Sequence, residues 1–184
     1  MAYSAEYMEI HPYFDLELLM SMSQETRLGG AVTERLMHLW EQWVPEARAL
    51  RIKTGHDAYL AVWLNEQVEN DVDKAWEQSP GDAYLYNSLA QVLCMSIVHG
   101  ILPEVQDAGC APAPPVTDKL RAALTAEGLP YTSSGTLARR YAVLTHHPFK
   151  GGCEICTLQH ACPKAQGTGE AASILLPGYE RGKS

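Results

Sequence analysis

The 184-residue sequence has no apolar run long enough to cross a bilayer. It also has no basic start followed by an apolar stretch. The first absence argues against a membrane-spanning helix, the second against a secretory leader. The expectation is a globular protein of the cytoplasm. No nucleophile elbow, dinucleotide fingerprint or His-Glu-x-x-His motif is present, so no common catalytic signature points to an enzyme. Internal repeats are missing as well. No segment sustains a period of two in Val, Ile and Thr. That last absence predicts an all-α protein, a helical bundle with a C-terminal cysteine-rich segment that binds a metal or cluster.

What is present fits that expectation at first sight. A short helix is predicted near 14–22, and Gly29-Gly30 breaks the chain after it. Leu36, Trp40, Trp43, Val44, Ala47 and Leu50 recur at helical spacing across 32–52, with Pro45 as a kink or break. Thr54 with Asp57 three residues on resembles a helix start, and a helix is predicted from there to Gln78, acidic on one face. A strongly apolar helix follows over 83–102. Thr117 caps another that reaches Glu127, and a last one is predicted to include 137–144. The four tryptophans, Trp40, Trp43, Trp63 and Trp76, are read as core. The expected organisation is a helical body at 1–106, a Pro-rich loop at 107–116, short helices with the cysteines at 117–165 and an extended tail at 166–184.

Charge is uneven along the chain. The net charge is −8. Residues 1–115 carry 17 acids against six Lys and Arg, while residues 116–184 carry five against eight. An acidic body excludes a protein that coats nucleic acid with its whole surface. An anionic partner, nucleic acid included, would meet only the basic 116–165 region, through Lys119, Arg121, Arg139, Arg140, Lys150 and Lys164. A protein partner is the broader expectation.

Five cysteines is an odd number, and three of them fall within ten residues: Cys153-x2-Cys156-x5-Cys162. A secreted disulfide framework is even and dispersed, so clustered thiols point to a metal or an iron–sulfur centre. Two cysteines three apart can direct both sulfurs at one centre from a tight turn. Gly151-Gly152 lets the backbone come close, and Pro163 follows the last cysteine as in ferredoxin-type sites. A fourth ligand is needed to complete a structural zinc site or a four-iron cluster. Cys110 in the Pro-rich loop is the leading candidate, with His146 and His160 as alternatives. Cys94 lies within the most apolar helix and reads as core.

The Cys-x2-Cys-x5-Cys spacing resembles the end of the cluster motif in endonuclease III-type DNA glycosylases, in which a fourth cysteine precedes it. His146 stands at that position here. With Cys110 as a distant upstream member, the set is similar to the cluster of AddB-like nucleases. The resemblance implies a 4Fe-4S cluster on Cys110, Cys153, Cys156 and Cys162 that pins the chain, and neither enzymatic activity. The resulting expectations are an iron–sulfur module for regulation, interaction or electron transfer, a zinc-stapled interaction domain, or a helical enzyme with a cleft that the sequence does not show.

Overall fold

A computed structural model describes residues 3–162; the Lys164 position, the 166–184 tail and its Gly178–Ser184 end lie outside the described residues. The all-α expectation is overturned. About half of the chain is helical, and it is joined by a four-stranded antiparallel sheet in the order β1-β2-β3-β4, giving a mixed α/β fold. The strands are β1 (Ser4–Tyr7), β2 (Ala47–Thr54), β3 (Asp57–Leu64) and β4 (Ala142–His146). The helices are α1 (Leu16–Ser23), α2 (Gly30–Trp43), α3 (Glu66–Gln78), α4 (Pro80–Ile101), α5 (Pro103–Ala108) and α6 (Asp118–Ala126).

Two strands occupy what reads as helix, and the reason is burial on both faces. Pro45 ends α2 through a 3-10 turn, and the chain leaves it extended rather than helical. Ala47 and Ala49 of β2 then face a large core with Leu60, Val62 and Leu64 of β3. Leu50 and Ile52 face a second core with Tyr59, Ala61 and Trp63. A strand covered on both sides shows no polar alternation, so its run of apolar residues imitates a buried helix. Thr54 and Asp57, expected to open a helix, face each other across a hairpin. Gly55 at φ 70° makes that two-residue turn possible.

The large core lies between the sheet and helices α1 to α5. Leu36, Trp40 and Trp43 of α2, Val68 and Val72 of α3, and Leu89, Leu93 and Ile97 of α4 all join it. Ser79 caps α4 by accepting from the Asp82 N–H, and Pro80 occupies its first turn, where no N–H is needed. The opposite sheet face is covered by α6, whose Leu120, Ala123 and Leu124 are buried there. Thr117 caps α6 by accepting from the Leu120 N–H. Three of the four tryptophans are buried as expected; Trp76 is 47% exposed. The helix expected over 137–144 is absent. Tyr131 instead bridges Leu137, and residues 142–146 form the edge strand β4.

β4 belongs to the expected cysteine-bearing unit, yet it completes the sheet of the expected helical body. Its register on β3 runs from Trp63↔Ala142 to Tyr59↔His146. The cysteine segment therefore leaves directly from a sheet strand.

Candidate cysteine site

Cys110 is delivered by the end of α5. Gly109 takes the left-handed conformation at φ 60°, and its N–H bonds back to the last turn. The Cys110 N–H reaches the Val105 carbonyl at 3.3 Å, which directs the following loop away from the helix. That loop is tied to the sheet: the Thr145 hydroxyl donates to the Pro112 carbonyl at 3.0 Å.

Cys153 opens and Cys156 directly follows one 3-10 turn, Cys153–Ile155, and Cys162 directly follows a second, Gln159–Ala161. The Cys156 N–H donates to the Cys153 carbonyl at 3.1 Å, and the Cys162 N–H donates to the Gln159 carbonyl at 3.3 Å. Gly152 enters the first turn at φ 114°, which side-chain-bearing residues rarely adopt. A Cβ on Gly151 would stand 2.8 Å from the Phe149 ring. The Thr157 N–H and hydroxyl both donate to the Ala113 carbonyl, at 3.2 and 3.3 Å. Those two bonds join the cysteine turns to the loop that carries Cys110.

The result is one cavity of about 90 Å³ whose lining includes Cys110, Cys153, Cys156 and Cys162 together. Ala108, Pro112, Gly152 and Gln159 are the other described lining residues, and none of them carries a formally charged side chain. Cys153 is exposed, and the other three are half-buried. Among the described residues no disulfide joins any of the five cysteines. Among the same residues, no group of three or more His, Cys, Asp or Glu is gathered as ligands of one metal ion would be.

The remaining candidates fall elsewhere. Cys94 is buried in α4, its thiol donates to the Tyr141 carbonyl at 3.3 Å, and burial pushes its pKa up to about 12. That is a core cysteine, unreactive at neutral pH. His146 is 7% exposed on β4, packed against the Tyr59 ring, and does not line the cavity. Burial, then the charge of Lys150, lowers its pKa. His160 is exposed on the second 3-10 turn and is likewise absent from the lining.

The basic region is largely engaged within the chain. Arg140 forks onto Asp73 of α3 with two hydrogen bonds of 2.7 and 3.1 Å. Arg139 approaches Glu66 and Glu69 of the same helix, each at 3.7 Å. Lys150 meets Asp57 at 3.4 Å, and Arg121 lies over the Tyr131 ring. The acidic face of α3 and the basic stretch before β4 are thus partners of each other. The two stretches lie about 70 residues apart in sequence, and the strand β4 brings them together.

Among the described residues no helix is long and apolar enough to cross a membrane. Comparison with protein-family models, with curated proteins and with solved structures finds no match for the chain.

Proposed function

We propose that this chain is a small mixed α/β iron–sulfur protein. Cys110, Cys153, Cys156 and Cys162 hold a 4Fe-4S cluster, and the protein works as a regulatory, interaction or electron-transfer module. The observation that carries the reading is that four cysteines, one of them more than 40 residues away in sequence, line one small cavity. Their number suits soft metals and clusters rather than hard cations.

Two further features support it. Among residues 147–162 whose burial is described, none is buried. A segment of that length with no core of its own gains order from a bound centre, whose binding free energy becomes folding free energy. Cluster over zinc is favoured by the run Cys153-x2-Cys156-x5-Cys162-Pro163, which resembles iron–sulfur cluster motifs.

The test is anaerobic purification with iron, sulfide and zinc analysis, repeated on Cys110→Ser. The expected result is a brown protein absorbing near about 400 nm, with iron and sulfide in equal amounts, and a marked loss of both in the variant. One equivalent of zinc in a colourless protein replaces the cluster with a structural zinc site. Unchanged metal in Cys110→Ser removes Cys110 from the ligand set.

A further inference from the structure

The two edges of the sheet are unlike. β1 is exposed along all four residues, whereas in β4 Ala142 and Val143 are half-buried and Leu144, Thr145 and His146 are buried, with a groove on each face. The Leu64 N–H donates to the Tyr141 carbonyl at 3.0 Å, and the His147 N–H donates to the Ala58 carbonyl at 2.9 Å. Given the register Val62↔Val143 and Ala61↔Leu144, antiparallel alternation turns residues 141, 143 and 145 toward β3. Ala142 and Leu144 then direct their N–H and C=O groups outward. Among the described residues, these outward groups have no hydrogen-bond partner. Unpaired groups in a row are a template for one more strand.

The grooves match what such a strand would present. Its side chains would alternate between the two faces of the sheet. On one face, Ala142 and Leu144 line a groove of about 320 Å³ with Val116, Leu137 and Leu158. On the other, Tyr141 and Val143 line one of about 300 Å³ with Met22 and Met95. The charged side chains described in either lining are Arg139 and Arg140, which immediately precede β4. The long contacts of Arg139 with Glu66 and Glu69 leave guanidinium donors for another carboxylate.

We propose that the unpaired edge of β4 docks an extended segment of a partner protein. The segment carries small apolar side chains at alternate positions and an acidic residue beside Arg139. Strand addition of this kind takes affinity from main-chain bonds and specificity from alternate pockets. A second copy of this chain suits the edge poorly, because residues 139–150, which would face each other across it, contain no carboxylate to meet Arg139. The proposal goes beyond the cluster reading and does not depend on it.

Main-chain pairing is tolerant of sequence, so a generic probe tests it. Two fluorescent peptides alternate valine and threonine, one beginning and one ending in two glutamates, to cover both strand directions. Saturable binding of one is expected, together with slowed hydrogen exchange at Ala142 and Leu144. Ala142→Pro removes an outward N–H at the first position of an edge strand, where proline is tolerated; thermal melting checks its fold. It should weaken binding about fivefold, the worth of one hydrogen bond, and Arg139→Gln about threefold, as for an exposed ion pair. No saturable binding of either peptide at about 1 mM, a concentration that reads even a weak complex, overturns the proposal. So does binding that a folded Ala142→Pro leaves unchanged. Binding seen only after residues 166–184 are removed makes the chain's own tail the occupant and overturns a separate partner. Dimers in sedimentation that the peptide dissociates do the same in favour of a second copy.

Discussion

Between Leu60 and Val98 the chain buries one side chain after another, while between 147 and 162 it buries none of those described. The helix-covered sheet offsets its lost conformational entropy with apolar surface removed from water. The cysteine loop has little of this: among its described residues Phe149 packs, partly buried, against the large core. It has backbone bonds within two 3-10 turns, two bonds from Thr157 to Ala113, and three of the four thiols around a cavity. The difference teaches that the two regions should answer to different perturbations. The body should respond to lost volume and not to metal; the loop should respond to metal and hardly at all to the body's packing.

The largest effect belongs to the body. Leu93 is fully buried at the centre of α4, within the core shared by the sheet and five helices. Leu93→Ala should cost about 2–5 kcal/mol of global stability, read as a shift of the urea midpoint at unchanged slope. The metal content of the folded fraction should not change. A shift under about 1 kcal/mol, well below the range for such cavities, would mean that the large core does not dominate stability.

A smaller effect, also global, comes from three histidines whose Nδ1 atoms are buried. Burial lowers the pKa of His99, His146 and His147, with the charges of Lys150 on His146 and Arg51 on His147 acting the same way. Their buried Nδ1 atoms have no hydrogen-bond partner among the described residues. In the unfolded chain these rings take protons near their ordinary 6.5, while in the folded chain they resist. Stability is therefore full above that pH and falls as the pH drops through 6.5 toward the lower folded values. Urea midpoints at pH 7.5, 6.5 and 5.5 should decline, and His146→Phe, which keeps a ring against Tyr59, should flatten the decline. An identical slope in that variant would clear His146 of any part in it.

How much of this division the sequence discloses depends on whether a pattern is local. Helices α4 and α6 are legible: α4 through a strongly apolar run too long for a strand, and α6 through its cap Thr117 a few residues from its buried Leu120, Ala123 and Leu124. β2 and β3 are not, since both of their faces are covered and a run such as Leu60–Leu64 has no polar beat to mark it as extended. β4 is short and lies at an edge, and only its pairing with β3 identifies it. The cysteine spacing is local and stands out at once. That Cys110 comes to the same cavity as the other three is a tertiary fact; the sequence offers only a ligand-sized residue in a loop. The pairing of Arg139 and Arg140 with α3 and the unpaired edge of β4 were illegible for the same reason, because both exist only once the fourth strand is in place.

The smallest global effect should come from Gly152→Ala, and it is the sharpest test of the comparison. Gly152 sits at φ 114° and ψ 146°, a conformation nearly restricted to glycine, at the entry to the turn that carries Cys153. Alanine there is strained by roughly 1–3 kcal/mol, and its Cβ would also meet the Glu154 carboxylate, a flexible group that can move aside. If the loop is a separate, ligand-dependent unit, that strain is relieved by local rearrangement and the body does not feel it. The urea midpoint of the metal-free protein should stay within about 0.5 kcal/mol of wild type, the range of substitutions that touch no core feature. Hydrogen exchange should quicken between 150 and 162 and stay slow in β2 and β3. Bound metal should fall, because Cys153 no longer reaches the cavity without distortion. A global loss as large as that of Leu93→Ala would show instead that the loop is packed into the cooperative core, and its order would then need no bound centre to explain it.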